Sequence, residues 1–325
     1  AEGRTLSNPP VGCVIVDKSG RLCATAHTGR GGVPHAETQA LDMAGHLAEG
    51  ATVYVTLEPC AHHGKTPPCI DALIAARVAR IVVAVADPDA RVNGRGLEKA
   101  KAAGIDTHLG VGAAAAKAVL SGFLTRIERG RPYVWMKTAA SLDGGIALAD
   151  GEKRWLTGRP MRHFVHEVRS RCDALLTGVG TILADDPELT CRAPARNADS
   201  PAVFVLDSQL RTPPTARIFG AGNRPVTLLC KSSAPKDRLM ALTQAGAVVT
   251  RLPAHPNGQL DLDAVLDHLG AGGINTLLVE AGTGVTTAML AAGLVDKIYW
   301  TESPHILGAD AWPVVGPLKL VALPN

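Results

Sequence analysis

The sequence predicts an α/β protein of two domains, and three observations predict it. Short β-branched, apolar runs alternate with helical patterns along the whole chain. A length of 325 residues suits about two domains. Gly130-Arg131-Pro132 breaks a long helical pattern, and a new strand follows at once. The expected domains are therefore 1–130 and 131–325.

The elements follow in order. Residues 11–16 read as a strand and 22–26 as its hairpin partner. A helix is expected over 36–48, where Ala40, Leu41 and Ala44 share a face. Residues 51–57 are β-branched and apolar, so they read as a strand ending at Glu58-Pro59-Cys60. A helix over 69–77 follows Pro67 and Pro68. Strand 81–86, helix 97–103 and strand 105–109 come next. The helix over 113–128 carries Val119, Phe123 and Ile127 as its apolar stripe. This order suits a layered sheet. In the second part, strands are expected at 133–138, 174–177, 203–206, 226–229, 248–251, 276–280 and 297–300. Helices include 159–169, 236–245 and 286–292. No tandem repeat is visible.

Composition narrows the function. A net charge of +3 is too weak to argue for nucleic acid. Aromatic residues make up 3%, too few for a single-strand stacking surface. No apolar run reaches the length of a membrane span. No secretory signal precedes Asn8. The seven cysteines are odd in number and form no disulfide-like framework, which points to a reducing, cytoplasmic setting. The chain starts at Ala1, close to a motif, so a preceding segment is expected. A homo-oligomer acting on a small molecule, with neither nucleic acid nor membrane as partner, is the expectation.

His35-Ala36-Glu37, Pro59-Cys60 and Cys69 carry the chemistry. His-x-Glu followed by Pro-Cys and a second Cys is the zinc deaminase signature, in which the Glu is not a ligand. His35, Cys60 and Cys69 are the expected ligands. Three protein ligands leave a fourth position open to water, as in catalytic rather than structural sites. Zinc lowers the pKa of water toward neutrality, and Glu37 is expected to move the proton to the departing amine. Taken singly, a His before a helix is a surface or capping residue and a Cys is a small buried hydrophobe. Their combination, with two helix starts and one strand end converging, favours the metal.

The second part is quieter. Gly178-Val179-Gly180 follows a strand but lacks the third Gly of a dinucleotide fingerprint. Gly282-Thr283-Gly284 follows strand 276–280 and precedes a helix, where small residues let backbone N–H groups approach phosphate. Each also reads as a plain tight turn, and Asp185-Asp186-Pro187 as a helix stop. The residues alone give an α/β domain with a phosphate-binding turn.

Over nearly its whole length the chain resembles the bifunctional riboflavin-biosynthesis deaminase/reductase family. The first-domain resemblance rests on Asn8-Pro9-Pro10-Val11-Gly12, His35-Ala36-Glu37 and the run from Glu58 to Cys69. Eight residues separate the two cysteines, against the shorter gap usual in nucleoside and transfer-RNA deaminases. The second-domain resemblance rests on Lys137 to Gly144, Trp155 to Gly158, Asp185 to Arg192, Leu206-Asp207-Ser208 and Glu280-Ala281-Gly282. It implies a cytidine-deaminase-like three-layer domain, then a dihydrofolate-reductase-like domain, which accounts for the missing fingerprint. It implies two reactions on a phosphorylated pyrimidine: hydrolysis of an amino group, then reduction of the ribosyl group to ribityl by NADPH.

The resemblance also implies residue roles. Asn8, His27, His62, Lys65 and Asp87 match contacts to the deaminase substrate. Lys137, Arg169, Leu189, Arg192 and Glu280 match contacts to the reductase substrate. Ala139, Trp155, Thr157, Thr181, Asp185, Ser208, Gly282, Thr283 and Gly284 match the NADPH site. Glu37, Lys137 and Asp185 are the expected catalytic residues. The chain departs from the family at Asp89, where an Asn is common, at Lys153, where a Ser is common, and in lacking the helix before Asn8. Two other readings compete. One is a single-activity zinc nucleobase deaminase with an accessory domain. The other is a zinc-stabilised binding module, against which Glu37 argues, since a structural site needs no adjacent acid.

Overall fold

The computed structural model describes residues 1–64, 66–150, 155–193 and 200–318. Lys65 and Lys153 lie outside them. The chain forms two compact units, Ala1–Arg131 and Pro132–Asn325.

In the first unit β1 (Gly12–Val16) and β2 (Leu22–His27) form an antiparallel hairpin. Strands β3 (Thr52–Leu57), β4 (Arg80–Val85) and β5 (Asp106–Leu109) complete a sheet of order β2-β1-β3-β4-β5. β1 runs antiparallel to β3, whereas β3, β4 and β5 are parallel. Helices α1 (Ala36–Ala44), α2 (Cys69–Ala75), α3 (Arg95–Ala102) and α4 (Ala113–Arg129) lie between or after the strands. Successive side chains of a strand face opposite ways. In β4, Ile81, Val83 and Val85 are buried on one face and Val82 and Ala84 on the other. The sheet is therefore covered on both sides: α1 packs on β1 and β2, and α4 on β3 and β4.

Two expectations needed correction. α1 stops at Ala44, and Gly45 to Ala48 forms a 3₁₀ turn instead of more helix. Gly45, at φ +55°, leaves the helical region. The buried stripe of α4 is Ala116, Leu120 and Phe123, while Val119 is 43% exposed. Of the expected stripe, Phe123 is buried and Ile127 packs against the core, so Val119 alone is displaced.

The second unit is built on β6 (Tyr133–Ser141), β8 (Ala174–Gly178), β9 (Ala202–Leu206), β10 (Val226–Lys231), β11 (Val248–Leu252), β12 (Thr276–Val279) and β13 (Lys297–Ser303). Their order is β11-β10-β9-β8-β12-β6-β13, and every neighbouring pair is parallel. β7 (Gly145–Ala147) and β14 (Trp312–Pro313) form a small antiparallel pair. The helices are α5 (Arg159–Arg169), α6 (Val179–Asp185), α7 (Arg217–Gly220), α8 (Lys236–Gln244), α9 (Leu262–Ala271) and α10 (Thr283–Ala291). Parallel strands joined by helices bury both faces, and β8 is buried throughout. α10 begins at Thr283, before the expected start, because Gly282 supplies an extended N-cap.

Parallel order brings the carboxyl ends of β6, β8, β9 and β12 to one edge, where ligands bind in open α/β sheets. Val279 pairs with both Met136 and Leu176. Lys137, Glu280 and Thr177, each one residue further on, therefore share a level. Among the described residues no helix is long and apolar enough to cross a membrane.

Candidate active sites

His35 is the N-cap of α1, yet its side chain makes no capping hydrogen bond. Its ring turns instead to two sulfurs. Nδ1 lies 3.1 Å from Cys69 Sγ and 3.7 Å from Cys60 Sγ. Cys60 follows the end of β3, and Cys69 opens α2. The Cys69 N–H donates to Cys60 Sγ at 3.2 Å. The donor atoms of His35, Cys60 and Cys69 all lie within 4.8 Å of one another. The Cys69 thiol and the His35 ring pull the Cys60 thiol down to about 4 against the effect of burial. Cys69, which shares its proton with Cys60 and is buried, is pushed up. One imidazole and two thiols, of which Cys60 ionises readily, brought to within 4.8 Å of one another fit a zinc ion in nature and number.

Glu37 sits in the first turn of α1, buried. Burial pushes its carboxyl up to about 7, and the Cys60 charge acts in the same direction. A proton carrier close to neutrality suits general acid–base work.

Asp87, just past β4, is buried, and desolvation pushes it up to about 6. Its Oδ1 accepts the Asp89 N–H at 2.9 Å. Asp89 in turn holds Arg91, with Nε–Oδ1 2.9 Å and Nη2–Oδ2 2.6 Å. The extra charge at position 89 is thus neutralised within the loop. The Nδ1 of His62 is buried without a partner among the described residues. Asn8 Nδ2 donates to the Gly32 carbonyl at 2.9 Å and so braces the loop that leads to His35. His27 is exposed, its Nδ1 3.0 Å from the Thr28 carbonyl.

In the second unit a charged cluster sits at the sheet edge. Arg169, from the last turn of α5, grips Glu280 with two parallel bonds, Nε–Oε1 2.6 Å and Nη2–Oε2 2.8 Å. Their side chains are 11% and 12% exposed. Burial raises the Glu280 carboxyl, but the Arg169 charge and hydrogen bonds outweigh it and hold the group below its ordinary range. Burial lowers the Lys137 ammonium, with Glu280 opposing. Arg169→Met should cost about 3–5 kcal/mol, because Glu280 would lose both hydrogen bonds of its bidentate partner and keep only the charge of Lys137 nearby. A fall in the urea midpoint of the second unit would show it.

The loop after α6 completes this cluster. Arg169 Nη1 donates to the Thr190 carbonyl at 2.8 Å. Asp186 and Leu189 both adopt left-handed backbone, at φ +42° and +51°, costly for residues other than Gly. Arg224 holds this shape by donating to the Glu188 and Leu189 carbonyls. The Leu189 side chain is packed in the core, so any substrate contact it makes is through its main chain. Arg192 donates to Thr190 Oγ1 at 2.8 Å and Glu188 Oε2 at 3.1 Å. An open cavity of about 430 Å³ lies beside the loop, lined by Glu188, Thr190, Arg217 and Gly220 to Gly222. His166, one turn before Arg169, was missed by sequence reasoning, as was Arg224. Burial and the charges of Arg169 and Arg192 pull His166 down to about 4, and its Nδ1 accepts the Arg192 N–H at 3.2 Å. No local motif marks either residue.

The expected NADPH residues divide into two groups. Ala139 on β6, Thr181 on α6, Ser208 after β9 and the Gly282-Thr283-Gly284 turn belong to the elements that end or begin at the carboxyl edge. Trp155 and Thr157 form a local group at the start of α5. Trp155 lies 4.9 Å from the Arg162 guanidinium and is 79% exposed, and the Thr157 carbonyl accepts from Arg162 at 3.0 Å. Asp185 is the exposed last residue of α6.

The family profile for the cytidine and deoxycytidylate deaminase zinc-binding region matches residues 1–85, and the profile for the RibD C-terminal domain matches 132–324. The fold and sites define a zinc-dependent deaminase joined to an NADPH-dependent reductase. The first unit is cytidine-deaminase-like and the second dihydrofolate-reductase-like. The chain is 43% identical over 324 residues to the riboflavin biosynthesis protein RibD of Escherichia coli, covering 94% of this chain and 84% of that protein. It is 37% identical to RibD of Aquifex aeolicus, with the same coverage. Among solved structures, a diaminohydroxyphosphoribosylaminopyrimidine deaminase/5-amino-6-(5-phosphoribosylamino)uracil reductase of Thermotoga maritima is 33% identical, with a TM-score of 0.87 over 100% of this chain and 88% of that one. Acinetobacter baumannii RibD gives 36% identity and a TM-score of 0.86 over 97% and 86%. The chain belongs to the RibD family and is a bifunctional enzyme of riboflavin biosynthesis. The single-activity reading is not favoured.

Proposed function

We propose that the first site hydrolyses the amino group of 2,5-diamino-6-(5-phosphoribosylamino)pyrimidin-4(3H)-one, and that the second reduces the ribosyl group of the product to ribityl. The observation that carries the first reaction is the buried Glu37, whose carboxyl feels Cys60, His35 and Cys69, three donors within 4.8 Å of one another.

His35, Cys60 and Cys69 would hold the zinc, which when bound would supply Lewis acidity and a water nucleophilic near neutral pH. Glu37 takes the proton of the attacking water and gives it to the amine as the C–N bond breaks. His62, Asp87, Asn8 and His27 orient the pyrimidine, and Lys65 meets its phosphate as a point charge. In the second site NADPH, when bound, would supply the hydride that reduces the sugar carbon. Arg169, Arg192, Glu280 and the Leu189 main chain contact the sugar-phosphate substrate, and Lys137 gives the balancing proton. Ala139, Trp155, Thr157, Thr181, Asp185, Ser208 and the turn at 282–284 hold the cofactor. Catalysis there is mostly positioning.

The seven cysteines are all free, which supports a cytoplasmic setting. The edge strand β13 exposes Ile298 and Trp300, which supports a homo-oligomer; sedimentation will measure it.

A coupled assay on the pyrimidine phosphate tests the scheme. Ammonia should appear without NADPH, and NADPH should be consumed only after deamination. Purified protein should hold one zinc per chain, and a Cys60→Ala, Cys69→Ala protein should lose it. Full zinc occupancy in that double variant would sink the ligand assignment.

A further inference from the structure

Glu58 is an acid with 3% exposure, two residues before a metal donor, and pairs with no cation among the described residues. Its carboxylate is satisfied by four backbone N–H groups. Oε2 accepts from Gly94 at 3.0 Å and Asp87 at 3.3 Å, and Oε1 from Gly96 at 3.0 Å and Leu97 at 3.2 Å. Three of those donors are the first N–H groups of α3, which lack a partner inside the helix. The N-cap of α3 is Gly94, at φ +89°, and it offers no side-chain cap. Glu58 therefore caps this helix from a distant segment. The segment carrying Glu58, Pro59 and Cys60 is thereby seated on the end of α3.

A second observation is independent of charge. A Cβ on Gly96 would stand 2.5 Å from the Pro59 carbonyl oxygen and 3.1 Å from Glu58 Oε1. Backbone of α3 thus touches backbone one residue from Cys60, and only Gly permits it. At its far end α3 reaches the other cysteine's helix, where Lys99 pairs with Asp71 of α2. Helix α3 gives no metal donor, yet it touches both segments that carry the cysteine donors.

We infer that Glu58 is a positioning residue for the metal. With Gly96 it locks α3 against the Cys60 segment and so sets the separation of Cys60 from Cys69. Glutamate is required because four N–H donors need both oxygens. Glutamine keeps the shape but turns an NH₂ toward two of them, leaving buried donors unsatisfied. The inference rests on the zinc reading above.

The test uses the full chain loaded with zinc. Zinc release to a chromogenic chelator should quicken about 10- to 100-fold in Glu58→Gln, the range for groups that orient metal ligands. The visible band of the cobalt-substituted protein should shift. NADPH-dependent reduction of already deaminated substrate should stay at the wild-type rate. Gly96→Ala, which keeps the carboxylate, should move zinc release in the same direction. If Glu58→Gln does not fold by circular dichroism, Gly96→Ala decides alone. Folded variants with wild-type zinc release and cobalt band overturn the inference and leave the zinc reading standing. A wild-type chain that holds no zinc overturns both.

Discussion

Glu37→Gln should keep its zinc and lose ammonia release by about 10²–10⁴-fold, the share carried by a positioned proton carrier. Glu37 interacts with the His35, Cys60 and Cys69 donors but is not one of that group. Glutamine has the same volume, so the buried pocket stays filled, but it cannot take a proton from water. Metal analysis should therefore match the wild type while deamination collapses. The reductase cluster of Lys137, Arg169 and Glu280 lies in the other compact unit, so NADPH oxidation on already deaminated substrate should be near normal. A loss of both activities in a folded Glu37→Gln protein would refute the two-site assignment. A loss of zinc would mean that the carboxylate is a ligand.

What was legible in the sequence follows from how far apart the cooperating residues lie. The zinc donors could be read because each sits at a strand end or helix start, where local pattern fixes its place. The His-x-Glu and Pro-Cys signature marks the donors, and the fold then brings their atoms to within 4.8 Å of one another. The role of Glu58 could not be read, because its partners are N–H groups of α3, and nothing in Glu58-Pro59-Cys60 announces them. The reductase cluster is harder still. Lys137, Arg169 and Glu280 meet because β12 inserts between β8 and β6, an order that periodicity does not encode. Those residues came from resemblance, and His166 and Arg224, which the resemblance did not carry, were missed. On α4 the expected Phe123 is buried and Ile127 packs against the core, but Val119 is exposed, and Ala116 and Leu120 are buried instead.

Lys137→Ala and Asp185→Ala should each cut NADPH-dependent reduction by about 10²-fold or more, the scale for a lost proton carrier or a misplaced reactant, and leave deamination intact. Lys137 is one residue beyond the Met136 that pairs with Val279, and its ammonium feels Glu280 and Arg169. It is the cation of this cluster that makes no bidentate pair with Glu280, and so the one suited to the reacting sugar. For Asp185 the rival idea is that it only stabilises a helix end. Its position argues otherwise. Asp185 is the last residue of α6, and Asp186 follows in left-handed backbone. A carboxylate caps an N-terminus, where free N–H groups point at it. At a C-terminus it faces carbonyl oxygens and the negative end of the helix dipole, a mismatch of about 0.3–1 kcal/mol. Asp185→Ala should therefore leave the melting temperature unchanged or raise it slightly. Lost reduction beside an undiminished melting temperature would place Asp185 in the cofactor and substrate cleft. Wild-type reduction in the folded variant would remove it from the catalytic set, and a lowered melting temperature would restore the structural reading.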